Sequence, residues 1–340
     1  MSCSTTTSPR AAPTDLRACR AVLRPYAAPD WRSAWQLASN LVILAASWWL
    51  ATLAFRRQPA LALVPALLLS VALLRCFILF HDCGHGSFSP SRRLNDIVGS
   101  VLGIVLFTPF RYWSYAHAIH HATSSDLDRR GVGDVWTMTI DEYAKAPPNR
   151  RFLYRAYHSP WVLFTLGPLI KFGFIERLVT RPTTTPLRVR RSVPFTNVGI
   201  VVYCTAMCLI VGVRCFFLVE ATGLLLGGAV AIRLFYVQHR FESAYWSRRD
   251  NWRFLDAGLR GSSYLRFGAV LRYVTGNIGF HHLHHLEARI PNYNLPRCAR
   301  EHPELKAACV LTLRDVFASR ELKLWDEDAG CYVGFKLTGR

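Results

Sequence analysis

The chain has 340 residues and is 51% hydrophobic, with 10 Trp, 13 Tyr, 20 Phe and a mean hydropathy of +0.16, yet 19% of it is charged. That balance excludes a protein buried wholly in lipid and fits a polytopic membrane protein with a substantial aqueous part. The net charge of +19 would invite nucleic acid in a soluble protein, but the basic residues scatter over loops beside apolar segments and no DNA- or RNA-binding motif is present, so nucleic acid is excluded as a partner.

Taken in chain order, residues 1–33 read as a polar N-terminal tail. Its start, MSCSTTTSPRAAPTD, lacks the apolar core of a signal peptide. Residues 34–80 read as a first transmembrane hairpin, built from the apolar runs Ala34–Phe55 and Pro59–Phe80 around Arg56-Arg57-Gln58. Each run would rise about 33 Å as a helix, against a bilayer core of about 30 Å. Residues 81–194 read as a cytosolic region. Two weaker apolar stretches within it, Leu94–Phe110 and Pro160–Ile175, are expected to be interfacial or re-entrant, and the Arg-, Pro- and Thr-rich segment 178–194 to be a basic connector. Residues 195–238 read as a second hairpin, from Phe195–Val213 and Ala221–Gln238 around a mixed turn at Arg214–Glu220. Residues 239–340 form a C-terminal cytosolic region.

This arrangement puts 36 of the 41 Lys and Arg on one side. Only Arg56, Arg57 and Arg214 fall on the other, and Arg75 and Arg233 lie close enough to helix ends to snorkel. The basic side is expected to be cytosolic and to carry both termini. Ten cysteines, none in a CxxC pair, fit a reducing compartment without a disulfide framework.

The twelve histidines are grouped. His81 and His85 stand in HDCGH, directly after the second apolar run. His117, His120 and His121 stand in HAIHH. His281, His282, His284 and His285 stand in HHLHH, and His239 caps the fourth run. On a helix, residues three and four apart share a face. Each set therefore aims several imidazoles at one point, and neutral imidazole ligates iron, zinc, copper or nickel. Three such sets at span exits on one side are hard to explain as packing. His158 and His302 stand alone and read as ordinary hydrogen-bonded residues. Asp82, Asp126, Asp134, Glu242 and Glu287 are candidates to orient the imidazoles through their second ring nitrogen.

HDCGHGSF at 81–88, HAIHHATSSDLDRRGVGDVWT at 117–137, QHRFE at 238–242 and GNIGFHHLHHLEARIPNYNLP at 276–296 resemble the membrane fatty-acid desaturases, nearest to their bacterial and plastid omega-6 (Δ12-type) branch. The resemblance runs from about residue 40 to about residue 300. It implies an all-α integral membrane fold, with four transmembrane helices in two hairpins and a helical cytosolic cap carrying a di-metal site. It implies two ferrous, non-haem irons held by His81, His85, His117, His120, His121, His239, His281, His284 and His285. His282 falls outside the triplet pattern and is expected to be a supporting or surface residue. Related animal enzymes carry a water-holding Asn one turn before the late-span His; Phe235 stands there in this chain, and Asn277 is a candidate substitute.

The implied reaction is dioxygen-dependent insertion of a cis double bond into an acyl chain carried on lipid, carrier protein or coenzyme A, at a bacterial inner membrane. Phe107, Tyr112, Trp113, Trp136 and Tyr236 are candidates to line an acyl tunnel. The chain has no HPGG haem motif, no GxGxxG and no ferredoxin cysteine run, so its electrons are expected from an external ferredoxin or b-type cytochrome. A fatty-acyl or carotenoid hydroxylase or ketolase of the same superfamily is the nearest alternative. A histidine-rich metal transporter is a distant one, since transporters place ligands at mid-membrane and these spans are free of histidine.

Overall fold

The structure is a computed structural model describing residues 15–180, 184–306 and 309–335. Its principal helices are α1 (Leu16–Leu23), α2 (Trp31–Arg57), α3 (Leu63–His85), α4 (Arg92–Val105), α5 (Phe110–Thr123), α6 (Pro148–Tyr157), α7 (Ser192–Val211), α8 (Val213–His239), α9 (Phe254–Arg260) and α10 (His281–Leu286). The chain folds as two units, each assembled from segments distant in sequence. An apolar unit comprises residues 29–115 and 164–232; a histidine-rich unit comprises residues up to 28, 116–163 and 233 onward.

Four helical segments are long and apolar enough to cross a membrane: Trp31–Arg57, Pro59–His85, Leu187–Val211 and Val213–His239. In the apolar unit, Asp30 caps α2 by accepting the Arg32 N–H at 2.9 Å. Gln58 is extended and ends α2, and Pro59 opens the 3-10 turn into α3. Fully buried Ala51, Ala62, Ala66 and Ala72 let backbones approach closely, as small residues do between membrane helices. The Asn40 side chain donates to the Ala72 carbonyl at 3.1 Å, tying α2 to α3. Trp48 stacks on Phe216 at 5.7 Å in a core that also holds Leu69, Leu73, Phe80 and Val219.

The structure moves several expected boundaries. α3 and α8 run on through His81–His85 and His239, so these histidines belong to the last turns of apolar helices. The second pair of spans breaks at Gly212, whose φ of 88° suits a residue without a side chain, not at Arg214–Glu220. Glu220 lies inside α8, buried, with the Tyr203 hydroxyl donating to it at 3.2 Å. The weak stretch at Leu94–Phe110 is a bent pair: α4 and α5 meet at 105°, an arrangement that would make a fifth span or a re-entrant loop. Pro160–Ile175 contains a π turn at Val162–Leu166 and the short helix Gly167–Gly173. The basic connector includes a helix at Leu187–Arg190; its residues 181–183 lie outside the described residues.

In the histidine-rich unit the expected polar tail is partly helix. Asp15 accepts the Arg17 N–H at 3.0 Å to cap α1, and α1 buries Cys19 and Leu23 in a core with Phe280, Leu283, Leu286 and Ile290. Residues 1–14 of that tail lie outside the described residues. The unit is not purely helical. β1 (Tyr264–Leu265) pairs in parallel with β2 (Val310–Leu311), and β3 (Leu324–Asp326) pairs antiparallel with β4 (Cys331–Val333). All cysteines among the described residues are free.

Candidate metal centre

The histidine-rich unit holds seven of the nine imidazoles, in two neighbouring groups. α5 presents His117 and His121 one turn apart, with Nε2 atoms 3.2 Å from each other. His284, from α10, brings its Nε2 to 3.0 Å from that of His121. His120, on the adjoining strip of α5, has Nε2 3.2 Å from that of His239, the last residue of α8. His281 Nε2 lies 2.8 Å from His239 Nε2 and 3.2 Å from His285 Nε2. The ligand atoms of His120, His239 and His285 all lie within 4.8 Å of one another, as do those of His117, His121 and His284.

These distances carry chemical information. Nε2 of His121 faces two other Nε2 atoms, and so does Nε2 of His239. One ring nitrogen has one proton or one lone pair, so it satisfies one such neighbour, not two. A cation at the focus resolves the conflict, because every lone pair then points at it. Two cis ligands about 2.1 Å from a metal stand about 3.0 Å apart, which matches the spacings found. Ligation also needs neutral rings. Burial first, then the neighbouring imidazoles at 281, 239, 120 and 284, hold the His285 pKa well below the usual range.

The outer nitrogens are positioned as well. Asp134 Oδ1 lies 2.5 Å from His120 Nδ1, and its other oxygen accepts the Gly131 N–H at 2.8 Å. The Gly261 carbonyl accepts from His239 Nδ1 at 3.3 Å. Such bonds fix the tautomer that leaves Nε2 free to ligate. A Cβ at Gly133, where φ is 82°, would stand 2.8 Å from the Ala116 carbonyl and 3.1 Å from His120 Cβ. Glycine there lets the Asp134 loop lie against α5.

Of the other expected acids, Asp126 accepts from Arg129 Nε at 2.5 Å and from its own turn, and Glu287 pairs with Arg289 at 2.8 Å. Glu242 accepts the Tyr332 N–H through its backbone carbonyl. In the apolar unit, His81 and His85 stand edge to face at 4.7 Å on the last turn of α3, which Gly86 closes at φ 69°. Asp82 Oδ1 is 3.7 Å from His81 Nδ1, too far for a hydrogen bond.

His282 points away from its triplet. It is buried, which excludes the surface alternative, and hydrogen-bonds the Leu305 backbone; burial holds its pKa down to about 3. His158 and His302 are structural, bonded to the Tyr154 carbonyl and to Glu304. Asn277 has φ 55° and shapes the turn before α10. Among the candidate tunnel aromatics, Trp113 packs on Phe77, Phe80 and His81. The Tyr112 hydroxyl meets Thr180, Phe107 packs edge-on to Tyr203, Trp136 packs on Tyr154, and the Tyr236 hydroxyl donates to the Leu322 carbonyl.

Sequence patterning missed the wall of a small cavity beside His120, His239 and Asp134. Its volume of about 20 Å³ is enough for one water, and Phe235, Arg240, Trp246 and Tyr332 help to line it. Phe235 packs on both His120 and His239, at 5.2 and 5.4 Å.

Comparison with known proteins agrees with this chemistry. A sequence model of the family described as fatty acid desaturase matches residues 58–313. A fatty acid desaturase of Bacillus subtilis is 37% identical over 92% of this chain and 88% of its own length. Two Synechocystis proteins are more distant. An sn-1 oleoyl-lipid 12-desaturase is 24% identical over 66% of the chain and 63% of its own length. An sn-1 acyl-lipid omega-3 desaturase (ferredoxin) is 27% identical over 65% of the chain and 61% of its own length.

Proposed function

The chain belongs to the fatty acid desaturase family, and on that premise we propose that it is a dioxygen-dependent desaturase of omega-6 (Δ12-type) specificity, inserting a cis double bond into an acyl chain. The reading gives it two ferrous, non-haem irons held by His81, His85, His117, His120, His121, His239, His281, His284 and His285. The observation that carries it is the paired convergence of Nε2 atoms at 2.8–3.2 Å in the histidine-rich unit, a donor set that suits first-row metals.

Bound iron would activate dioxygen, the oxidant that an unactivated C–H bond demands and that amino-acid side chains cannot engage. The chain's own residues do the rest. Burial keeps His285 neutral. Asp134 and the Gly261 carbonyl fix the tautomers of His120 and His239, and Phe235 packs edge-on to both rings.

Two electrons per turnover come from outside. A ferredoxin or b-type cytochrome is the proposed donor, a reading supported by the Synechocystis relative's name. The spans are read as two hairpins, with both termini and a helical cap bearing the metal centre on the cytosolic side of a bacterial inner membrane. A hydroxylase of the same superfamily would leave an added oxygen, not an alkene.

Expression in a desaturase-free host, with the fatty-acid profile read by mass spectrometry, tests the proposal. A new Δ12 alkene is expected from the natural chain. His120→Ala should abolish it, with membrane insertion retained. Near-normal unsaturation from that variant would reject the ligand assignment, and hydroxylated product would reject the reaction.

A further inference from the structure

Two contiguous surface hollows in the apolar unit, of about 850 and 960 Å³, share Arg93, Asp96, Phe110, Arg111 and Arg188 and form one open groove. One wall is apolar, from Ile97, Val101 and Ile104 of α4 and Phe195 of α7. The rim carries Arg92, Arg93, Arg111, Arg188 and Arg191 against a single carboxylate, Asp96. At its other end the groove reaches His85 and Gly86, the last turn and cap of α3.

The charge here is not spent internally. Asp96 Oδ2 takes both Arg188, at 2.7 Å, and Arg111, at 3.0 Å, so one carboxylate oxygen is shared by two guanidiniums and leaves most of their donors unused. The complement of such a rim is an anion with several acceptor oxygens, and guanidinium forks match phosphate.

Position selects the kind of phosphate. Arg188 and Arg191 lie in the first turns of the span Leu187–Val211, and Leu94, Ile97 and Val101 are exposed on the apolar side of α4. Basic residues at a span end lie at headgroup level. A cationic rim beside an exposed apolar wall is the complement of an amphiphile, not of a free ion.

We propose that this groove seats an anionic phospholipid, with its phosphate on Arg93, Arg111, Arg188 and Arg191 and one acyl chain along the α4 wall.

The test uses the full chain purified in neutral detergent, with dioctanoyl phosphatidylglycerol as probe and native mass spectrometry as readout. R93Q/R188Q/R191Q should weaken binding at least tenfold. D96N should strengthen it severalfold, because it releases two guanidiniums for the phosphate; a damaged fold would not produce that gain. Unchanged affinity in the triple variant, or weakened binding in D96N, overturns the groove. Displacement of the lipid by equimolar inorganic phosphate overturns the lipid as its occupant.

Discussion

Arg240 is 1% exposed and follows directly on the candidate ligand His239. Its guanidinium donates to the carbonyls of Trp136 at 3.2 Å and Lys323 at 3.0 Å, to Thr137 Oγ1 at 2.6 Å and to His158 Nε2 at 3.1 Å. It also lies over the rings of Tyr236 and Tyr332. These bonds fix the end of α8 to the β3–β4 hairpin region and so limit where His239 can point. His158 serves as acceptor in that network only while neutral. Burial first, then the Arg240 charge, hold its pKa down to about 2. The unfolded chain would protonate it near pH 6.5, so the folded pKa is the lower one. The stability His158 confers is present in full above about pH 6.5 and falls as pH drops toward 2. Between pH 7 and pH 5 the loss should be about 2 kcal/mol. Denaturant titration of the natural chain and of His158→Gln at both pH values should show their stability difference shrinking by that amount as pH falls. A difference independent of pH would mean that His158 titrates alike in the folded and unfolded chain.

At the scale of elements, the histidine sets were legible because three- and four-residue spacing on a helix is a strong periodic signal. α5 and α10 form where that signal lies. The turn of the second pair of spans was not legible. Arg214 and Glu220 resemble loop residues in sequence, but Glu220 lies inside the helix, where one of its oxygens accepts from Tyr203, while Gly212 takes φ 88° without strain. α1 was hidden for a different reason: at eight residues it is too short to stand out as a periodic run, and it packs on Leu283, Leu286 and Ile290, more than 250 residues away. The Asp134 loop was only half visible. The acid was a candidate from its type, but the need for glycine before it appears only where the loop meets α5. Gly133→Ala should therefore push the loop off His120 and lower iron affinity about tenfold, the low end for losing a ligand's orienting partner. Gly330→Ala is the control. It also sits at positive φ, 63°, but its Cβ would meet nothing within 4 Å, so it costs backbone strain without touching the Asp134 loop. Chelator competition on the iron-loaded proteins separates the two. Equal affinities for Gly133→Ala and Gly330→Ala would show that close approach to α5 does not matter.

For the whole molecule, the net charge of +19 was legible from composition, and its proposed use follows from its distribution. In the proposed topology nearly all the basic residues share one side with the metal centre. The electron donor must meet that side, and a small acidic carrier would be drawn to it from beyond contact range. The attraction is screened over about 10 Å at 0.1 M salt and about 3 Å at 1 M. Turnover driven by limiting reduced ferredoxin should thus fall steeply as ionic strength rises, through a lower association rate. A single turnover of enzyme reduced beforehand with dithionite, freed of the excess and then given dioxygen, needs no docking and should change little over the same range. Salt also weakens phosphate binding at the arginine groove, so the comparison must be made with acyl substrate at saturation. Parallel salt curves for ferredoxin and dithionite would place the salt sensitivity in the enzyme or its lipid, and docking on the basic face would be refuted.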